Sequence, residues 1–189
     1  MLFEKLVLLA AAFSCFAMCA LAEERVIRKQ VVVDASLAEV WKAWTTSDGA
    51  ATFFAPQANI EARLGGAYEL YFFPDQPQGL RGAEGCQVHS IVPMKSLAFT
   101  WGAPPQFPDI RNSGLHTLVF LRFEELGPRK VRVHFTELGW GEGEQWDKVY
   151  NYFVEAWDVV LGRLKHRFAS GPLDWAHPPR PTESLAAAK

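Results

Sequence analysis

The spacing of apolar and polar positions divides this chain into a strand-rich first part and one long helix. Residues 26–34 read as a valine-rich strand. Ser36-Leu37-Ala38-Glu39 then has the form of a capping box, in which serine and glutamate side chains each satisfy a free backbone amide. It opens a short helix with Leu37, Val40, Trp41 and Trp44 on one face. Ser47 or Thr46 caps a second short helix that ends near Phe53-Phe54 and is stopped by Pro56. Period-two patterning follows at 58–64 and 67–73, flanking Gly65-Gly66, where a tight primed hairpin turn is expected. Further strands are predicted at 86–92, 96–101, 116–124 and 130–138, with turns at Pro93-Met94 and Gly127-Pro128. The connections 74–85 and 102–114 are long and rich in proline and glycine, a form common at the rims of binding sites.

The period then becomes helical. Trp146, Val149, Tyr150, Phe153, Trp157, Val160, Leu161, Leu164 and Phe168 form one apolar stripe, opposite Asp147, Lys148, Asn151, Glu155, Asp158, Arg163, Lys165 and Arg167. Rings of this size leave gaps more readily than aliphatic side chains. The stripe therefore has two readings, a ligand cavity or a solid aromatic core.

Composition is that of one globular domain: 189 residues, 49% hydrophobic, 21% charged, 13% aromatic, with a net charge of -2. The balance is near neutral and no basic block is present, which argues against nucleic acid. Residues 6–21 are apolar apart from Ser14, Cys15 and Cys19, follow Lys5, and run into Ala20-Leu21-Ala22. That is the form of a cleaved secretory leader over 1–22, which places the mature protein in a periplasm or outside the cell, with no stable membrane span. Retention of the segment as an anchor is the alternative. Cleavage leaves Cys86 as the one cysteine, so no internal disulfide is expected, and Cys86 reads as a small buried hydrophobe. After Gly171 the chain turns proline-rich and then alanine-rich, so 171–189 is expected to be a largely disordered tail, with Trp175 as its anchor.

Polar groups with chemical potential are few. Glu137 alternates with Val131, Val133 and Phe135 and so points inward, where burial would raise its pKa and suit it to acid or base work. The other reading of Glu137 is a solvated or ion-paired side chain at a strand end. His89, His116 and His134 fall on separate strands, His134 on the outer face, and no pair of ligands has metal-binding spacing. Gly141-Glu142-Gly143 lacks the strand context of a nucleotide loop and reads as the turn into the last helix. No cofactor is implied.

The order strand, two short helices, antiparallel meander and long closing helix resembles the α+β helix-grip fold of the START-like (SRPBCC) superfamily. Within it the motifs resemble the branch named for the activator of heat-shock-protein-90 ATPase homologues. The first-helix segment from Ala35 to Thr45, Arg63-Leu64-Gly65-Gly66-Ala67-Tyr68, Glu137-Leu138-Gly139-Trp140 and the segment from Ala156 to Leu164 carry the resemblance. Ala156 departs from the glycine often found there, and the leader sets the chain apart from cytosolic relatives. The resemblance implies a domain over 23–170 with a curved sheet of about seven strands around the last helix. It also implies an apolar cavity between them, with Tyr150, Phe153 and Trp157 facing it from the helix. Tyr68, Phe99, Trp101 and Phe135 would face it from the sheet, provided the strands are phased correctly. The expected function is non-catalytic binding of a hydrophobic or aromatic small molecule. A cyclase- or dehydratase-type enzyme using Glu137 and Tyr150, or a co-chaperone-like module with a protein partner, are the alternatives.

Overall fold

The computed structural model describes residues 24–177, so the leader and residues 178–189 lie outside the described part. Seven strands form. β1 (Ile27–Val33), β4 (Val88–Val92), β5 (Ser96–Trp101), β6 (Thr117–Gly127) and β7 (Lys130–Leu138) make one antiparallel sheet in the order β1-β7-β6-β5-β4. β2 (Gln57–Ile60) and β3 (Tyr68–Tyr71) pair separately. The helices are α1 (Leu37–Thr45), α2 (Ser47–Ala51), α3 (Pro108–Asn112) and α4 (Glu144–Ser170). This is the expected α+β helix-grip arrangement, with the seven strands divided five and two.

Alternation places the core. Val131, Val133, Phe135 and Glu137 of β7 face inward beside Val119, Leu121 and Phe123 of β6 and Leu97, Phe99 and Trp101 of β5. α4 lays Trp146, Val149, Phe153, Trp157, Val160, Leu161 and Leu164 on that layer. Lys29 of β1 donates to Asp158 of α4 at 2.5 Å, pinning the helix to the sheet's edge strand. α1 starts in the expected capping box: Glu39 N donates to Ser36 Oγ, and Ser36 N donates to Glu39 Oε2 at 2.9 Å. α2 is capped by Thr46, whose Oγ1 accepts from Gly49 N at 3.0 Å.

The Gly65-Gly66 hairpin does not form as expected. Only Gly65 has positive φ (+70°); β2 ends at Ile60 and β3 begins at Tyr68. The backbone groups that would close the turn are used elsewhere. Gly65 N donates to Val88 O at 2.9 Å and Val88 N donates to Gly66 O at 2.8 Å, so the loop sews the small sheet to β4. Gly66 is still required, because a Cβ there would lie 2.2 Å from Glu61 O. The connection 102–114 also contains α3, where the proline- and glycine-rich pattern predicts a loop; Pro108 stands in its first turn and Ile110 is buried.

Residues beyond α4 turn back onto the body. Leu173 N donates to Thr52 O at 2.9 Å, and Trp175 Nε1 donates to Ala51 O at 2.6 Å. Among the described residues no helix is long and apolar enough to cross a membrane.

Candidate functional site

A cleft of about 560 Å³ opens between the middle of α4, the end of β5 and the two long connections. That volume suits a small organic ligand. Its floor is an aromatic cluster. Trp101 lies 5.2 Å from Trp157 and is stacked on Phe54 at 5.6 Å, while Phe153 is stacked on Trp157 at 6.3 Å, all between centroids. These rings pack on one another and turn only edges to the cleft: Phe54, Trp157, Trp101 and Phe153 are 0%, 1%, 4% and 5% exposed. The walls are Phe72, Phe73, Pro104, Pro105, Tyr152, Ala156 and Val159, and the polar lining is Gln106, Glu155, Asp158 and Arg163.

The two connections are fastened together beside it. Arg111 of α3 donates to Gly79 O through Nη2 (2.7 Å) and Nε (3.0 Å), and to Ala103 O through Nη1 (2.7 Å). Glu84 accepts from the backbone of Gly79 and Arg81 at 2.9 and 2.8 Å and from Arg81 Nε at 2.9 Å. Burial opposes the charge of Glu84, but those donors and the Arg81 guanidinium together hold its carboxyl below the ordinary range. At the cleft edge Gly82 pairs with Tyr71, and a Cβ on it would lie 2.3 Å from Leu70 O. No larger residue fits that approach.

Of the seven residues expected to face a cavity, Trp101, Phe153 and Trp157 line this cleft. Phe135 sits behind it, 4.4 Å from the Trp157 ring. Tyr68 and Phe99 are stacked at 3.9 Å deeper in the core, where the Tyr68 hydroxyl donates to Trp44 O at 3.0 Å. Tyr150 is half-buried at the other end of α4, edge-on to Trp140 at 5.0 Å and under the Arg25 guanidinium. The sequence reading missed Phe54, Phe72 and Arg163. Phe72 continues the inward parity of Tyr68 and Leu70 and was legible on that ground. Arg163 was assigned to the polar face, although it stands only about 60° round the helix from Val160.

Glu137 is fully buried and outside the cleft, behind Trp157. It is neither solvated nor ion-paired. Oε2 accepts from Trp157 Nε1 at 2.6 Å, and Oε1 lies 2.7 Å from Thr117 Oγ1. Burial pushes its pKa up to about 8 against those two hydrogen bonds, so the carboxyl is largely neutral at physiological pH. Geometry supports the same protonation state. Thr117 Oγ1 also lies 3.1 Å from Trp101 O, and its single hydrogen cannot serve both oxygens. With the acid neutral, Glu137 donates to Thr117, which donates to Trp101 O, and each group is satisfied. Cys86 is buried, and burial pushes its thiol up to about 12, which disfavours the thiolate. His134 lies on the outer sheet face against Glu124 at 2.7 Å. Among the described residues no three histidine, cysteine or acidic side chains converge as metal ligands.

Residues 34–169 match the family described as "Activator of Hsp90 ATPase homolog 1-like protein". The chain belongs to that family. Its fold is shared with solved structures of low sequence identity. A protein from Mesorhizobium loti is 15% identical with a TM-score of 0.61, over 79% of this chain and all (100%) of that one. CalU16 from Micromonospora echinospora is 19% identical with a TM-score of 0.59, over 91% and 89%. Aha1 from Colwellia psychrerythraea, solved in solution as a dimer, is 20% identical with a TM-score of 0.56, over 78% and 98%. No curated protein matches the sequence significantly.

Proposed function

We propose that this family member is an exported, non-catalytic binding domain that holds a hydrophobic or aromatic small molecule in the cleft against α4. The observation that carries this reading is the cleft itself: about 560 Å³, floored by ring edges of Trp101, Phe153 and Trp157 and walled by Phe72, Phe73 and Tyr152. Phe73 is exposed, a large apolar side chain that a ligand would cover. Each Å² of apolar surface so covered contributes about 25 cal/mol. Export rests on the leader pattern over 1–22. The enzyme reading draws no support from the placement of its two residues, since Glu137 and Tyr150 both lie off the cleft.

The test is titration of the purified protein with a panel of apolar and aromatic compounds, followed by tryptophan fluorescence and thermal melting. Saturable quenching with a raised Tm is the expected result. A panel-wide absence of both would overturn the reading. Export is tested by fractionating cells and sequencing the mature N-terminus, which is expected near Glu23.

A further inference from the structure

The cleft carries one cation without a counter-charge. Arg163 lines it near the helix's C-terminal end and, among the described residues, makes no hydrogen bond and no ion pair. Its Nε is buried with no partner. The nearest compensation is the Trp175 ring, 5.3 Å from the guanidinium carbon. A guanidinium stays charged in proteins, and this half-buried one keeps its Nη groups accessible while its Nε is shut off from water. Burial accordingly draws the Arg163 pKa down. The two carboxylates of the lining do not relieve it. Asp158 is held by Lys29 at 2.5 Å, and Glu155 stands two turns toward the other end.

Along α4 the lining runs Phe153, Ala156, Trp157, Val160, Arg163. Ten residues of helix span about 15 Å. An occupant of that length would meet rings and aliphatic groups over most of its body and a single unpaired fork of N–H donors at one end. Glu155 stands about two helical turns from that cationic end, so an anionic group is favoured beside Arg163.

We infer that the cleft's ligand is an amphipathic carboxylic acid, with its hydrocarbon or aromatic body over Trp157 and Phe153 and its carboxylate paired to Arg163. The inference rests on the cleft being a ligand site. The planar guanidinium matches a carboxylate in two parallel hydrogen bonds, which an alcohol of the same length cannot make.

Matched pairs decide it: decanoate against 1-decanol, and 6-phenylhexanoate against 6-phenylhexan-1-ol, titrated into the full protein at pH 7.5. Each acid is expected to bind at least about tenfold more tightly than its alcohol. In Arg163→Gln the acid should lose its advantage over the alcohol, and Arg163→Lys should keep part of the preference. Equal binding of acid and alcohol by the wild-type protein would overturn the inference and leave the cleft standing as an apolar site. Binding of neither would overturn the cleft reading itself, and this inference with it. A preference that survives in Arg163→Gln would assign the anion to another group and overturn it too. If that variant fails to fold, the wild-type comparison decides alone.

Discussion

Trp157 gives its indole N–H to Oε2 of Glu137 at 2.6 Å, and neither side chain is more than 1% exposed. The bond joins the middle of α4 to the last strand of the sheet. Through Thr117 it continues to β6 and the backbone of β5. A buried acid thus links four elements, two of which, α4 and β5, carry the floor rings Phe153, Trp157 and Trp101, and its own contribution is to positioning.

Replacing that acid separates shape from charge. Glu137→Gln can donate to Thr117 and accept from Trp157, so it should cost less than about 1 kcal/mol. Glu137→Ala removes the partner of two buried groups and leaves a void, for an expected loss of about 2–4 kcal/mol. Urea unfolding of the two variants measures the difference, and comparable losses would refute the chain of hydrogen bonds.

The raised pKa gives stability a definite pH dependence. Glu137 moves from an ordinary 4.5 to about 8 on folding, so the folded protein binds the extra proton between those values. Its stabilisation is complete below about 4.5 and is lost as pH rises through 8. The slope from this one group is at most about 1.4 kcal/mol per pH unit in that window and vanishes above it. Urea midpoints from pH 5 to 9 should fall more steeply for the wild-type protein than for Glu137→Gln. Parallel curves would show that the carboxyl is ionised when folded.

Filling the cleft should abolish binding without unfolding the domain. Ala156 lines it from α4 and is half-buried, so Ala156→Trp projects an indole into the open volume. Affinity for any apolar ligand is expected to fall at least about tenfold, with a Tm change of only a few degrees. Calorimetric titration alongside a melting curve separates the two effects.

Arg111 ties the two long connections through three hydrogen bonds to backbone oxygens. Arg111→Leu leaves those carbonyls without the guanidinium and Glu84 with one fewer cation at 3.6 Å. A loss of about 1–3 kcal/mol is expected, with hydrogen exchange accelerated at Gly79 and Ala83 before the sheet is affected. Unchanged exchange there would show that the connections hold without it.

Much of the fold was legible because its signals are periodic. The stripe on α4, the inward parity of Val131, Val133, Phe135 and Glu137, and the Ser36–Glu39 box each follow from spacing alone. Gly65-Gly66 misled because local turn preference carries no information about Val88, which captures the backbone of that loop from 22 residues further on in the sequence, the Gly66–Val88 separation. α3 was hidden by its short length and the prolines around it. At the site, aromatic identity marked Trp101, Phe153 and Trp157, but the sequence could not say which rings would pack away among themselves. Tyr68 stacks on Phe99, and Tyr150 leans on Trp140, so neither is left for the cleft. Arg163 was overlooked because an arginine beside a stripe ordinarily belongs to the solvated face, and only the tertiary contacts half-bury it and close off its Nε.

Trp175 sits under the guanidinium of Arg163 while its own N–H is held by Ala51. The orientation of a group inside the cleft is therefore set partly by a residue that follows the last helix in sequence. Proteolytic trimming back to Ser170 would leave every strand and helix intact and still remove that ring from beneath the arginine, so a shortened protein would keep its architecture while its selectivity drifted.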